Sequence, residues 1–254
     1  MNKMMKKFLL IIGLIFCFNF AYAGLSVTPS VTNVFGEQGS TYKGKYIVRN
    51  TYDHPITIKI GLDKGNTFSG NPDVDVKSWL KFKRTKYDIA KDGQVEIPYE
   101  AHILSNMKGS VSAKVEFSVD QSSMISISVV VPIYITVTGT ENIDFNIDSI
   151  NLFSSQNGIG YKLTIQNNGN VHIRHTGQIE IYTKKKKKLV KTVYIPETVP
   201  TYCESKRDFT DFMIGKDEIK KGKYVAVFKV NALGKEAVKE IKFKVTKHGE
   251  VVTQ

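Results

Sequence analysis

The longest regular pattern in the chain lies in Met124–Thr138, MISISVVVPIYITVT. Every odd position from 125 to 137 is isoleucine or valine, whereas the even positions include serine, threonine and tyrosine. Alternation with period two predicts a strand, and β-branched side chains pack well on a pleated surface. Pro132 cannot donate a ladder hydrogen bond, so we expect the strand to lie at a sheet edge or to lose its pairing there. The pattern predicts one long strand whose odd face is buried.

Shorter alternating segments precede and follow this strand, and turns rich in Gly, Asn, Asp and Pro separate them. No segment shows a convincing helical period, so an all-β fold is indicated. Pro29 in the first segment predicts an edge strand that changes course. The segments are Leu25–Val31, Tyr42–Asn50, Ile56–Leu62, Trp79–Phe82, Tyr87–Ile89, Val95–Ala101, Val111–Phe117, Phe145–Ile147, Ile150–Phe153, Tyr161–Asn167, Val171–Ile173, Ile179–Ile181, Leu189–Ile195, Phe209–Ile214, Tyr224–Val230 and Ile241–Val245.

Two parts of the chain repeat at nearly the same offset. Tyr46–Asn50 matches Leu163–Asn167 at an offset of 117 residues, and Gly109–Val115 matches Gly222–Phe228 at an offset of 113. Two copies of this length indicate paired domains. With about seven short strands in each half, we predict two tandem immunoglobulin-like antiparallel β-sandwiches, domain 1 at 24–139 and domain 2 at 140–254.

The N-terminus has the pattern of a secretory signal peptide, residues 1–23. A basic start, MNKMMKK, is followed by the apolar run Phe8–Phe20 and by Ala21–Ala23 before Gly24. This order predicts export and cleavage after Ala23. The alternative, a membrane anchor, needs about 20 apolar residues to cross the hydrocarbon. After removal of the signal, no run is long enough to span a membrane, and we expect a periplasmic or cell-surface protein.

The charge of the chain is basic and uneven. The formal net charge is +12, and loss of the signal with its three lysines leaves 33 basic against 24 acidic residues. Residues 140–254 contain 20 basic and 13 acidic residues, including a run of five lysines at a predicted hairpin tip. An exported protein rarely meets nucleic acid, so a basic half favours an anionic envelope polymer, lipid headgroups or an acidic protein, although solubility explains it equally well. The basic patch consists of Lys184, Lys185, Lys186, Lys187 and Lys188.

Catalytic, metal-binding and cofactor-binding motifs are not recognisable in the chain, and we predict no enzyme. His172 and His175 are three apart in a predicted strand and turn, which would point the rings to opposite faces, so surface or turn histidines are favoured over a metal site. Cys203, the one cysteine after the signal, is interpreted as a small buried hydrophobe rather than a reactive thiol. Trp79 is expected in a core. The loop acids Asp63, Asp73 and Asp75 lack a calcium-loop signature.

Several motifs resemble exported bacterial proteins built from PapD-like immunoglobulin modules, a group that includes the periplasmic pilus chaperones. The resemblance covers nearly the whole chain after the signal and implies a fold more strongly than a function. The motifs are Ser26–Pro29, Tyr46–Pro55, Trp79–Phe82, Pro132–Gly139 and Asn167–Arg174.

In pilus chaperones the last strand of the first domain is lent to a pilin subunit, and Met124–Thr138 matches that strand in place and pattern. The resemblance implies a protein partner, a surface or pilus subunit, bound by Ile125, Ile127, Val129, Val131 and Ile133. The alternative is that these side chains only fill their own core. The family anchors the subunit's terminal carboxylate with an Arg in the first strand and a Lys in the lending strand, and this chain has neither. A second hypothesis is a structural or adhesive envelope module.

Overall fold

The computed structural model describes residues 24–73, 75–120, 127–184, 188–215, 218 and 220–253. The predicted signal peptide lies outside the described residues. Within them the chain forms 17 strands and one short helix, α1, at Val76–Trp79. The first nine strands are β1 Leu25–Thr28, β2 Thr32–Gly36, β3 Thr41–Asn50, β4 Ile56–Lys64, β5 Leu80–Phe82, β6 Lys86–Ile89, β7 Gln94–His102, β8 Gly109–Val119 and β9 Ser128–Val137. The remaining eight are β10 Phe145–Ser155, β11 Gly158–Asn167, β12 Thr176–Thr183, β13 Leu189–Ile195, β14 Ser205–Gly215, β15 Gly222–Ala232, β16 Lys235–Val245 and β17 Val251–Thr253.

The first nine strands form two sheets around one hydrophobic core. One sheet has the order β1–β3–β7–β5, and the other has the order β2–β9–β8–β4–β6. The first alternating segment divides near Pro29, because β1 pairs antiparallel with β3 whereas β2 pairs parallel with β9 in the opposite sheet. The predicted change of course at this proline is therefore confirmed, and it lets the N-terminal segment close both sheets of the sandwich.

The last eight strands form a second sandwich. A three-stranded sheet, β10–β11–β14, and a five-stranded sheet, β13–β12–β15–β16–β17, enclose a separate core. All their pairings are antiparallel. The all-β, immunoglobulin-like architecture predicted from the alternation is what the chain adopts. The two cores draw on residues 27–137 and 145–245, and we keep the division into domains at 139/140 as a proposal.

Large side chains dominate the first core. Trp79 is 1% exposed, as expected of a core residue. Tyr46 is fully buried, with its ring 4.9 Å from that of Tyr99 and 5.2 Å from that of Phe117. Aromatic pairs at such centroid distances contribute beyond their buried area. This cluster joins the two sheets, because Tyr46 and Tyr99 lie on β3 and β7 and Phe117 lies on β8.

A buried asparagine closes the end of β3. Asn50 is fully buried, and its Oδ1 accepts a hydrogen bond from the Tyr52 N–H at 2.8 Å. Its Nδ2 donates to the carbonyls of His54 at 2.9 Å and Ala90 at 3.0 Å. One amide therefore satisfies the turn after β3 and ties it to the end of β6.

The second sandwich repeats this arrangement at Asn167, which is also fully buried at the end of β11. Its Oδ1 accepts from the Gly169 N–H at 3.0 Å, and its Nδ2 donates to the carbonyls of Val171 at 2.8 Å and Thr201 at 3.2 Å. Each asparagine thus bonds residues two and four positions ahead and at least one remote carbonyl, with Asn50 also 3.2 Å from the Ile89 carbonyl. The internal repeat found in the sequence extends to the same set of hydrogen bonds.

Local predictions differ from the structure at two places. Trp79 ends a helical turn, α1, which Asp75 caps by accepting from the Lys77 N–H, whereas the sequence pattern predicts extended chain from Trp79. The predicted pair of strands between Phe145 and Phe153 is one strand, β10, with an irregularity between Ile147 and Ser149. Such a bulge shifts the alternation by one residue, which imitates a strand break in the sequence pattern.

Removal of either buried amide should destabilise its own sandwich. Asn50→Ala leaves the Tyr52 N–H and buried carbonyls without partners, so we expect a loss of about 3 kcal/mol in the free energy of unfolding. The loss is measured by urea unfolding followed through the fluorescence of Trp79, the only tryptophan. Asn167→Ala should produce a similar loss in the free energy of unfolding, measured by urea unfolding followed through backbone ellipticity. The exposed Asn151→Ala serves as control and should change stability by less than about 0.5 kcal/mol. Equal effects of all three substitutions would contradict the assigned roles.

Candidate functional site

Part of β9 forms an open sheet edge. Along one side β9 pairs with β8 from Ser128 to Val137, whereas along the other side β2 pairs only with Ile133–Val137. Within the described residues, no strand pairs with the remaining side of Ser128–Pro132. We call Ser128–Pro132 the open edge. The edge position predicted from Pro132 is confirmed.

Two hydrogen bonds establish which main-chain groups face outward. The Val119 N–H donates to the Ile127 carbonyl at 3.0 Å, so the odd residues of this strand direct their polar groups toward β8. The Thr138 N–H donates to the Gly36 carbonyl at 2.9 Å, so the even residues direct theirs away from β8. The β8–β9 register has no irregularity between these ends. Ser128 and Val130 therefore each direct an N–H and a C=O outward, and Pro132 sacrifices no bond to β8.

The five residues predicted to bind a partner are in different environments. Ile125 lies outside the described residues. Ile127 is 43% exposed just before β9, and Val129 is half-buried against the first core. Val131 and Ile133 are fully buried in that core. In this structure the odd face therefore fills its own sandwich from Val131 onward, and only its N-terminal part is accessible.

The even face of β9 is less exposed than its polar residues predicted. Val130 is 49% exposed, but Tyr134 and Thr136 are buried. The second sandwich covers Tyr134: the His172 ring lies 4.5 Å from its ring centroid, and the two hydroxyls of Tyr134 and Tyr202 are 3.3 Å apart. Burial, followed by the Tyr202 hydroxyl, raises the pKa of Tyr134. The open edge therefore ends at the junction of the two sandwiches.

Further polar contacts hold this junction together. The Ser110 hydroxyl accepts from the His172 N–H at 2.9 Å and lies 3.0 Å from its Nδ1. On the loop after β4, Ser69 donates its N–H and its hydroxyl to the two carboxylate oxygens of Glu204, at 3.0 and 2.7 Å. Glu204 has a φ of 55°, which is uncommon for a residue with a side chain. These contacts fix the second sandwich against the sheet that carries β9.

A depression of about 230 Å³ lies where the open edge meets the junction. Pro132, Tyr134 and Tyr202 line one part of it, and Lys64 and Lys114 line another. Lys64 forms an ion pair with Asp73, whereas Lys114 forms no ion pair with a described residue. Lys64 and Lys114 therefore line the end of the open edge, with Asp73 paired to Lys64 and Asp63 opposite Lys114 in the β4–β8 register.

His172 and His175 lie outside the strands, in the segment between β11 and β12, as expected of turn histidines, but they are not on the surface. His175 is fully buried, with Nδ1 3.1 Å from the Thr198 hydroxyl and its ring edge-to-face with Phe209 at 4.4 Å. Its Nε2 has no partner among the described residues. Burial lowers the pKa of His175 to about 4, and burial followed by the nearby Arg174 lowers that of His172 to about 4. Both imidazoles are neutral packing groups at neutral pH.

The remaining candidate residues have structural or surface positions. Cys203 is free and buried, as predicted, and burial raises the pKa of its thiol to about 11. Lys184 and Lys188 are exposed between the paired strands β12 and β13, as expected of a hairpin tip, while Lys185, Lys186 and Lys187 lie outside the described residues. The basic patch as a binding surface remains a prediction.

The candidate metal ligands and any membrane-spanning helix were sought among the described residues. Across the described part of the chain, no three His, Cys, Asp or Glu side chains are grouped so as to hold a metal ion. Asp63 lies at the end of β4, Asp73 pairs with Lys64, and Asp75 caps α1. None of the helices in the described ranges has the length and apolar character to cross a membrane.

Comparison with known proteins finds similarity only among solved structures. No family model matches the chain, and no curated protein matches it. The class 5 fimbriae chaperone CfaA is 16% identical with a TM-score of 0.48, over 85% of this chain and 98% of that chain. A chain in the complex of CsuC and CsuE, a chaperone and tip adhesion subunit from the Csu pili of Acinetobacter baumannii, is 12% identical with a TM-score of 0.44. The match covers 86% of this chain and 98% of that chain. A chain in the complex of the SafA pilin with the SafB chaperone of Salmonella enterica is 10% identical with a TM-score of 0.41. The match covers 87% of this chain and 96% of that chain. At these identities the resemblance is one of fold.

Acid should destabilise the protein through its buried imidazoles. A histidine whose pKa is about 6.5 when unfolded and about 4 when folded binds its proton first in the unfolded state, so stability is retained above pH 6.5 and lost as the pH falls toward 4. The expected slope is about 1.4 kcal/mol per pH unit for each such histidine. Urea midpoints measured from pH 7 to pH 4 should fall less steeply for His175→Gln than for the wild type. The exposed His248→Gln should keep the wild-type slope, and identical slopes for both variants would refute the assignment.

Proposed function

We propose that the protein is an exported, non-enzymatic chaperone-type binding protein that holds a surface or pilus subunit by strand addition along the open edge. The observation that carries this proposal is the outward-facing main chain of Ser128 and Val130, flanked by the exposed side chain of Ile127. In strand addition the main chain supplies affinity, and every second side chain supplies specificity. The basic N-terminal signal motif supports export.

The composition of the open edge supports a role in binding. Exposed edge strands are normally protected by charges, bulges, shortness or proline, since unpaired main-chain groups invite association. Ser128–Val131 has no charged residue and no bulge, and Pro132 stands only at its end. The edge is therefore protected only by its short length and by the proline at its end, and its outward main-chain groups remain open to a partner strand.

The neighbouring strands limit how a partner can bind. An added strand would lie beside β9 in line with β2, because β2 occupies the same side of β9 from Ile133 onward. It would meet Ile127 and Val130 on opposite faces of the sheet, since odd and even residues alternate. Lys114, near Pro132, favours an acidic group at that end of the added strand.

The main-chain contribution can be tested with a proline substitution. Val130→Pro removes an N–H that points away from β8, so the sandwich keeps its own ladder while the partner loses a hydrogen bond and meets the proline ring. The partner is first captured from periplasmic extract with the wild-type protein and identified by mass spectrometry. The amount of this partner captured by Val130→Pro should be lower by about tenfold or more.

The matched control is Val130→Ala, which keeps the N–H and should capture the same partner within about threefold of wild type. Amide hydrogen exchange at Val130 should slow when the partner binds. Equal capture by both variants, or unchanged exchange at Val130, would exclude strand addition at the open edge.

The side-chain contribution is tested with Ile127→Asp. Because Ile127 is 43% exposed in the free protein, the change should shift the melting temperature by less than about 3 °C, whereas burial of a charge against the partner should weaken capture at least tenfold. Val252→Asp, at a valine of similar exposure in the second sandwich, should leave capture unchanged. Capture by Ile127→Asp at the wild-type level would contradict a role for this side chain.

A further inference from the structure

A second candidate site lies on the outer face of the five-stranded sheet, where polar and aromatic side chains surround a shallow depression of about 450 Å³. Gln178 lies opposite Tyr194 on one side and Lys229 on the other. In the neighbouring row Thr176 lies opposite Asn231, which lies opposite Glu236. Directly opposite side chains share a face of a sheet, so these two rows place six side chains together.

Tyr194 provides an aromatic platform. It lies on the edge strand β13, and its side chain is 77% exposed. A tyrosine ring has an apolar face with a negative quadrupole and a polar hydroxyl at its end. Such a face suits the slightly positive C–H groups on the face of a pyranose ring, whose hydroxyls project sideways toward polar neighbours.

A fixed ion pair with Glu180 orders two residues that line the depression, Gln178 and Lys229. Glu180 Oε1 accepts from Lys229 Nζ and from Gln178 Nε2, both at 2.7 Å, and Glu180 Oε2 accepts from the Tyr182 hydroxyl at 2.7 Å. The hydrogen bond from Lys229 is the main reason that the pKa of Glu180 is lowered. With Nε2 engaged, Gln178 has its Oε1 as an acceptor, and Lys229 keeps further N–H donors. Groups held in place before binding lose less entropy when a ligand arrives.

The second row supplies polar groups with spare capacity. The side chains of Thr176, Asn231 and Glu236 are exposed and make no hydrogen bond or ion pair with the described residues. Together with Gln178 and Lys229 they offer acceptors and donors side by side, which matches hydroxyl groups that both donate and accept. The charges of Lys229, Glu180 and Glu236 leave the site with one net negative charge, so it disfavours an anionic ligand.

We infer that this depression binds a neutral pyranose ring of an oligosaccharide, stacked on Tyr194 and hydrogen-bonded by Gln178, Lys229, Asn231 and Glu236. The site uses strands β12, β13, β15 and β16, none of which forms the open edge of β9. Saccharide binding and strand addition are therefore independent, and either is testable without the other.

The inference is tested by calorimetric and NMR titration of the full secreted protein with maltotetraose, cellotetraose, tetra-N-acetylchitotetraose and the anionic tetragalacturonate. At least one neutral probe should bind with a Kd of about 1 mM or tighter. Tyr194→Ala should weaken that binding about tenfold or more, whereas Tyr194→Phe, which keeps the aromatic face, should stay within about threefold.

Tyr42→Ala, at an exposed tyrosine of the first sandwich, is the matched control and should bind like the wild type. Amide signals of Gln178 and Asn231 should shift on titration. The inference is overturned if no neutral probe saturates the protein at about 10 mM, if Tyr194→Ala binds like the wild type, or if tetragalacturonate binds more tightly than the neutral probes.

Discussion

The main-chain ladder between β8 and β9 is the interaction on which both the first core and the candidate binding edge depend. It holds Val131 and Ile133 in the core, and it commits the polar groups of the odd residues to β8. The same commitment directs the polar groups of Ser128 and Val130 away from the sheet. One strand can therefore stabilise its sandwich through one set of residues and remain available through the other.

The alternation in Met124–Thr138 was sufficient to predict this strand, because every second β-branched residue needs a buried surface. Pro132 likewise predicted an edge, because its missing N–H is tolerated only there. The exposure of Ile127 was not predictable, since Ile127 lies before the part of β9 that pairs with β2, and no local pattern records where β2 begins. The burial of Tyr134 depends in the same way on the second sandwich.

The burial of the two histidines depends on residues that are distant in sequence, so the local pattern could not predict it. The spacing of His172 and His175 favoured surface or turn positions over a metal site, but the rings that cover them, Tyr134 and Phe209, are distant in sequence. The repeated asparagines show the opposite case. Asn50 and Asn167 were matched by offset alone, and the structure gives them equivalent hydrogen bonds, because the same turn after a strand leaves the same main-chain groups to satisfy.

Pro132 has a consequence for encounters between two copies of this chain. If two open edges met antiparallel, Ser128 of one copy would lie near Pro132 of the other, and the proline would leave the outermost carbonyl of its neighbour without a donor. Such a homotypic ribbon would be short and frayed at both ends. A strand of a different protein that pairs with Ser128–Val131 and places no carbonyl opposite Pro132 avoids this penalty. Pro132 therefore biases the edge toward association with a different protein and against aggregation into filaments.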